Sequence, residues 1–153
     1  MCGIVGFIDP EERVRDVDEV LTRMRMALRH RGPDQEGTVH RGQAHFGHQR
    51  LAIVDPSEAS RQPFVTDDLI VVANGEIYNH ESLREQLQTP HTFSSKSDCE
   101  VILPLYLEKG HDFVNDLEGM FAFVVWDCKE RTMHFARDRY GIKPLYYAQW
   151  GDT

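Results

Sequence analysis

The chain has 153 residues, enough for one domain with a sizeable buried core. Its 25 acidic and 17 basic residues give a net charge of −8, which argues against nucleic acid or an anionic membrane as a partner. The longest apolar run, residues 120–126, is too short to span a bilayer, and no charged-then-apolar leader is evident, so we expect a cytoplasmic protein.

The first six residues, Met-Cys-Gly-Ile-Val-Gly, place a thiol next to the start of the chain. If Met1 is removed, Cys2 becomes terminal, and its own α-amine can accept the thiol proton. The amine has a pKa of about 8 and a free thiol a pKa of about 8.5, so both lie close to neutrality. The ammonium and the thiolate are opposite charges on one residue, and each would stabilise the other. Residues 4–8 then form a buried strand. The alternative is a start methionine followed by an edge strand with a buried cysteine.

Residues 14–28 carry apolar side chains at helical spacing and predict an amphipathic helix of about four turns. The helix ends in a tight loop over residues 29–34, where Gly and Pro terminate it. Two strands, residues 36–41 and 43–54, are predicted to form a hairpin that turns at Gly42.

A polar loop over residues 55–63 precedes an apolar run, residues 69–73, which is typical of a central strand. The sequence after it does not alternate and fits a helix over residues 80–88. We therefore predict that Asn74-Gly75 joins a strand to a helix, with the Asn74 side chain and the Gly75 amide at a strand end, a frequent place for site groups.

Ser97-Asp98-Cys99-Glu100 has the spacing of a capping box, and apolar residues continue a helix to Leu107. In this interpretation Asp98 complements the helix dipole. Pro104 inside the pattern implies either a kink or a break, which the sequence leaves open. A short helix is predicted over residues 111–117.

The rest of the chain is predicted as a buried strand, a hairpin turn, a partner strand, a loop and a last strand, over residues 119–127, 129–131, 132–137, 138–144 and 145–149. The tally is two or three helices and about seven strands, mostly joined by hairpins. It predicts an α+β domain with antiparallel sheets and helices outside them.

Metal and disulfide sites are not expected. The three cysteines, Cys2, Cys99 and Cys128, are widely spaced and form no Cys-x-x-Cys pair. His45 and His48 have an odd spacing in a predicted strand, so their side chains should lie on opposite faces. The sequence predicts reduced thiols and no bound metal.

Six sequence blocks resemble, in the same order, the class II glutamine amidotransferase (glutaminase) domain of asparagine synthetases. The blocks are MCGIVG, HRGPD, HQRLAIVD, NGEIYN, SDCEVI and RDRYGIKPLY, beginning at residues 1, 30, 48, 74, 97 and 137. They are closer to asparagine synthetases than to the amidotransferases of purine or hexosamine synthesis, whose shared Arg-Trp-x-Thr-His segment is missing.

The resemblance implies an N-terminal-nucleophile (Ntn) hydrolase fold, a four-layer αββα sandwich of two antiparallel sheets, expected here to be C-terminally truncated. Residues 1–153 would form the glutaminase domain alone, without the ATP-dependent synthetase domain.

The implied reaction is hydrolysis of the glutamine side-chain amide to glutamate and ammonia. Cys2 would be the nucleophile, and the Asn74 side chain with the Gly75 N–H would form the oxyanion hole. The α-carboxylate would bind to Arg50, and the α-ammonium to Asp98 with Glu76. The remaining implied site residues are Leu51, Ile53 and Val54 as substrate contacts and Arg31 as a supporting residue.

No cofactor is expected for this step, since ATP and magnesium would belong to the synthetase domain. The predicted partners are L-glutamine, a synthetase domain or subunit in trans, and a second copy in a homodimer. An alternative from another class is a non-catalytic module that binds glutamine or assembles with a partner chain.

Overall fold

The computed structural model describes residues 1–150. Its strands are β1 Gly3–Ile8, β2 Gln35–Arg41, β3 Ala44–Arg50, β4 Phe64–Val65, β5 Leu69–Ile77, β6 Gly119–Asp127 and β7 Thr132–Arg137. Its helices are α1 Val17–Ala27, α2 His80–Gln86 and α3 Ile102–Lys109, with 3-10 turns at Arg29–Arg31, Glu58–Ser60, Asp98–Val101 and Gly110–Asp116. The predicted C-terminal truncation of the domain concerns the chain after residue 150 and lies outside the described residues.

The strands form two antiparallel sheets, one in the order β1-β3-β2 and the other in the order β4-β5-β6-β7. Helix α1 packs on β1 and β3, whereas α3 packs on β5, and the sheets face each other where β1 and β3 contact β5. Phe46 and Ala44 of one sheet pack against Ile70, Val72 and Trp126 of the other. The predicted αββα sandwich is confirmed.

A second and larger core fills the space between the β4-β7 sheet and its helices. It contains Val71, Ala73 and Phe123 from the strands and Leu83 and Leu105 from α2 and α3. None of the helices within residues 1–150 is long and apolar enough to cross a membrane.

The first helix begins three residues later than the sequence predicts. The Asp9 carboxylate accepts hydrogen bonds from the backbone N–H groups of Arg13 and Val14, at 3.0 and 2.8 Å, and holds that segment in a loop. Asp16 then caps α1 by accepting from the Glu19 N–H at 2.9 Å. The helix is therefore one turn shorter than predicted.

The predicted strand end at Asn74-Gly75 is wrong. Strand β5 continues to Ile77, and Gly75 lies opposite Phe121 in the β5-β6 ladder. A Cβ on Gly75 would approach the Met120 carbonyl oxygen to 2.7 Å, so the glycine is needed for close strand pairing rather than for a turn.

The second hairpin strand also ends earlier than predicted. Strand β3 stops at Arg50, and residues 51–54 leave the sheet. Likewise, residues 145–149 form no strand, although a strand was predicted there. The short strand β4 was not predicted.

The capping box at residues 97–100 does not form. Ser97 makes no capping hydrogen bond, and the Glu100 carboxylate instead accepts from the backbone and hydroxyl groups of Ser94 and Ser95. Pro104 lies in the first turn of α3, where a missing N–H is tolerated. The helix therefore begins beside the proline and does not break at it.

The predicted separation of the two histidines is confirmed. His45 contacts the ring of His40, Nδ1 to Nδ1 at 3.0 Å, whereas His48 turns to the other sheet and places Nε2 at 3.0 Å from the Ala73 carbonyl oxygen. Within residues 1–150 no three His, Cys, Asp or Glu side chains are grouped as metal ligands.

Candidate active site

Cys2 lies at the point where β3 leaves its sheet. Strand β1 pairs with β3 so that Gly3 is opposite Gln49, which brings Cys2 beside Leu51. The Leu51 N–H donates to the Cys2 Sγ at 3.5 Å, and the thiol is 3.9 Å from the Leu51 carbonyl oxygen. The sheet register therefore fixes the position of the thiol.

Arg31 supports the same residue from the 3-10 turn after α1. Its Nε donates to the Cys2 carbonyl oxygen at 3.1 Å, and its guanidinium lies 4.0 Å from the Met1 Sδ. Arg31 thus contacts both residues of the Met1–Cys2 peptide bond, and its supporting role stays a prediction.

Burial raises the pKa of the Cys2 thiol above its ordinary value. The Leu51 N–H, the terminal ammonium and Arg50 oppose this change, and Asp98 adds to it. With Met1 in place, desolvation outweighs the nearby cations. The expectation of a thiol that ionises near neutrality applies to Cys2 with its own free amine and stays a prediction.

The described chain begins with Met1, so here the terminal amine belongs to Met1 and the Cys2 nitrogen is an amide. The Met1 side chain is half exposed and lines the cleft in front of the thiol. Removal of Met1 would both clear this space and give Cys2 a free amine.

Arg50, the last residue of β3, is held as a rigid fork. It is 4% exposed, and its Nη2 donates to the Val54 and Asp55 carbonyl oxygens at 2.8 and 2.7 Å, while its Nη1 donates to the Gln35 side chain. These bonds join the guanidinium to the loop that follows β3. Both Nη2 hydrogens are used in these bonds, so the Nε hydrogen and one Nη1 hydrogen are left to bind a ligand carboxylate.

Asn74 and Gly75 lie inside β5 and still reach the cleft. Asn74 is 4% exposed, and it is not among the residues of the described chain whose side-chain polar atoms are both fully buried and without a partner. Asn74 lines the cleft, where its amide can meet a ligand. It is therefore available to donate to a bound oxygen.

Asp98 faces the site and is not a helix cap. Its Oδ2 accepts from the Ile77 N–H at 2.7 Å and lies 3.8 Å from the Cys99 Sγ, which leaves Oδ1 without a hydrogen bond among the described residues. Asp98 is 5% exposed, whereas Glu76 is exposed at the cleft mouth. The two carboxylates line the same cavity as Arg50.

The cleft brings together nine of the ten residues predicted from the sequence. Its lining includes Cys2, Arg50, Leu51, Ile53, Val54, Asn74, Gly75, Glu76 and Asp98. The tenth, Arg31, acts through the Cys2 carbonyl oxygen instead. The cavity has a volume of about 180 Å³, below the roughly 300–1,000 Å³ of sites for drug-sized ligands. A ligand the size of one amino acid suits it.

Sequence reasoning missed three polar lining residues, Gln62, Ser97 and Lys143. Gln62 is buried, and its Oε1 accepts from the Ala73 N–H at 2.7 Å, so it fixes the strand beneath Asn74. Lys143 is 5% exposed, although lysine is rarely buried. The available sequence signal for Lys143 was its place within the RDRYGIKPLY block. The loop itself has no periodic pattern that would mark this lysine.

A two-sheet sandwich that presents a cysteine from the start of its first strand to a small charged cleft is the architecture of an N-terminal-nucleophile hydrolase. Sequence comparison narrows the class: residues 1–153 match the family described as the glutamine amidotransferase domain, and the chain belongs to that family.

The curated relatives are similar over almost the whole chain. Asparagine synthetases described as glutamine-hydrolysing, from Sandersonia aurantiaca and Zea mays, are 43% and 44% identical over 153 residues, which is 99% of this chain. Those stretches make up 29% and 26% of the relatives, so the chain spans about a quarter of their length. The predicted similarity to asparagine synthetases is confirmed.

Solved structures support the same fold. The glutamine phosphoribosylpyrophosphate amidotransferase of B. subtilis superposes with a TM-score of 0.57 at 27% identity, over 73% of this chain and 27% of that one. A structure titled as the allosteric regulatory enzyme of purine biosynthesis has a TM-score of 0.57 at 23% identity, over 99% of this chain and 34% of that one, and shows the fold.

Proposed function

We propose that this chain hydrolyses the side-chain amide of L-glutamine to glutamate and ammonia, with Cys2 as an N-terminal nucleophile. The observation that carries the proposal is the Cys2 thiol in a cleft whose other residues match the two ends of an amino-acid amide. Membership of the glutamine amidotransferase domain family favours this enzyme over a non-catalytic binding module.

The charges of the cleft fit a free amino acid. Arg50 binds the α-carboxylate with its fixed guanidinium, and the Asp98 Oδ1, with Glu76 at the mouth, accepts the α-ammonium. The side-chain amide then extends toward Cys2. Leu51, Ile53 and Val54 line the cavity beside the substrate chain.

The reaction proceeds through a thioester. After Met1 is removed, the Cys2 α-amine accepts the thiol proton, and the sulfur adds to the amide carbon. The Asn74 side chain and the Gly75 N–H stabilise the resulting oxyanion. The protonated amine returns its proton to the departing ammonia, and water then attacks the thioester to release glutamate. No step needs a cofactor.

An ammonia-release assay with Cys2→Ala tests this proposal, with Cys128→Ala as the matched control because Cys128 lies away from the cleft. We expect release from glutamine by the wild-type chain and by Cys128→Ala, and none above background from Cys2→Ala. Release by Cys2→Ala at the wild-type rate would contradict the proposal.

Delivery of the ammonia to an asparagine-synthetase-type domain or subunit is the second part of the proposal. It rests on the relatives, of which this chain spans about a quarter. We treat residues 1–153 as the glutaminase unit of such a system, with ATP and magnesium used by the acceptor. The homodimer and the cytoplasmic location stay predictions.

A further inference from the structure

Lys143 is a buried cation in the active-site cleft. It is 5% exposed and lines the same cavity as Cys2, Asn74 and Asp98. Within residues 1–150 its ammonium forms no hydrogen bond and no ion pair. The Nζ atom is not among the fully buried, unpartnered side-chain atoms of residues 1–150, so it keeps solvent access and remains able to meet a charge that forms in the cleft.

The loop over residues 138–144 holds Lys143 against the strand pair β5-β6, which contains Asn74 and Gly75. The Asp138 Oδ2 accepts from the Lys143 N–H at 3.0 Å and from the Phe121 N–H at 3.3 Å. Phe121 is the residue opposite Gly75 in the β5-β6 ladder. The Lys143 backbone is thus tied through one carboxylate to the strand pair of the oxyanion hole.

A bound glutamine zwitterion leaves Lys143 without a partner in the ground state. Arg50 binds the glutamine α-carboxylate, and Asp98 with Glu76 binds the glutamine α-ammonium. The remaining negative charge in this cleft appears only during the reaction, on the Cys2 sulfur and then on the amide oxygen. A fixed cation stabilises such charge more strongly in the transition state than in the bound substrate.

We propose that Lys143 is a further catalytic residue, whose ammonium stabilises the Cys2 thiolate and the oxyanion of the tetrahedral intermediate. This inference rests on the proposed function. It predicts a contribution to kcat rather than to the glutamine KM.

The test compares Lys143→Met, Lys143→Gln and Lys143→Arg with Lys129→Met as the matched control, since Lys129 is a surface residue paired with Asp68. We expect kcat to fall about 10-fold to 100-fold in the Met and Gln variants, with KM within about two-fold of wild type. Lys143→Arg should recover most of the loss, and Lys129→Met should match wild type. Circular dichroism selects the variants that fold.

A second readout does not depend on turnover. The rate of Cys2 alkylation by iodoacetamide is measured against pH in the mature proteins. Loss of a nearby cation should raise the apparent pKa of the Cys2 thiol in Lys143→Met by about half a unit or more, with recovery in Lys143→Arg. If wild type releases no ammonia, the proposed function fails, and this profile still tests the cation.

Three results would overturn the inference. These are an unchanged kcat in folded Lys143→Met, a loss confined to KM, and a Lys143→Arg variant no better than Lys143→Met. An alkylation profile that does not shift would remove the role toward the thiolate.

Discussion

At the scale of single residues, the proposed function assigns the α-carboxylate of the substrate to the Arg50 guanidinium. Arg50→Lys keeps the charge but loses the planar fork that the Val54 and Asp55 carbonyls orient. We expect the glutamine KM to rise about 10-fold to 100-fold while kcat changes little, because the carboxylate contact is made equally in the ground and transition states. An equal loss of kcat at saturating glutamine would contradict this role.

Asn74 should show the opposite kinetic pattern. Its free side-chain amide is proposed to bind the oxygen only when it becomes negative, so Asn74→Ala should lower kcat by about 10²- to 10³-fold with a small change in KM. Steady-state ammonia release over a range of glutamine concentrations measures both constants. A change in KM alone would place Asn74 among the ground-state contacts.

His48 links the two sheets and makes stability depend on pH. Burial lowers its pKa from 6.5 to about 4. The unfolded chain takes up this proton at a higher pH than the folded protein, so stability is fully present above the unfolded pKa and declines from there toward pH 4. Between pH 7 and 5 the free energy of unfolding should fall by about 2 kcal/mol through this residue.

Urea unfolding of His48→Gln at the two pH values isolates this contribution. A glutamine can still donate to the Ala73 carbonyl oxygen but does not titrate, so the variant should lose about 2 kcal/mol less than wild type over this interval. His111→Gln, at an exposed residue, is the control and should behave as wild type. Equal pH slopes in all three proteins would refute the assignment.

The site residues could be named from the sequence because they lie in the six blocks that resemble asparagine synthetases. That resemblance implies the roles of Cys2, Arg50 and Asp98, and the chemistry of a thiol, a guanidinium and a carboxylate agrees with it. Lys143 was not identified, since a single lysine in an irregular loop carries no pattern. Its burial follows from the Asp138 carboxylate, which draws in the backbone N–H groups of Tyr140, Ile142 and Lys143.

At the scale of elements, the β5-β6 ladder positions the oxyanion hole. Gly75→Ala would place a methyl group at 2.7 Å from the Met120 carbonyl oxygen and 2.8 Å from the Phe121 Cα. Backbone atoms cannot move aside without opening the ladder, so we expect a loss of about 1–3 kcal/mol in stability, together with low activity.

Thermal and urea unfolding measure that loss, and Gly42→Asn serves as the control. Gly42 has a φ of +57° and no neighbour within 4 Å of an added Cβ, and asparagine tolerates this backbone region. The control should stay near wild type. A Gly75→Ala protein as stable as the control would show that the ladder accommodates a side chain.

Element types were predicted well and their ends less well, for identifiable reasons. Asn74-Gly75 has the composition of a turn, but cross-strand pairing with β6 extends β5 beyond it. Residues 51–54 are apolar enough for a strand, yet the Arg50 guanidinium binds the carbonyl oxygens of Val54 and Asp55, so the chain bends away from the sheet after Arg50. In both places a tertiary contact outweighs the local preference.

At the scale of the whole molecule, the two sheets together fix the position of the N-terminal segment that carries Cys2. Strand β1 is paired along its length with β3, and both strands contact β5 of the second sheet, which contains Asn74 and Gly75. The proposed nucleophile, Cys2, and the proposed oxyanion donors thus come from different sheets. Their relative position depends on the inter-sheet core of Phe46, Ile70 and Trp126.

The most direct test of the account is intact-mass and peptide mass spectrometry of the purified chain, before and after treatment with a glutamine-like electrophile. We predict that Met1 is absent, that one adduct forms, and that it maps to Cys2, with free L-glutamine slowing the labelling. Retained Met1, or an adduct on Cys99 or Cys128 instead of Cys2, would contradict the claim that a terminal cysteine is the nucleophile.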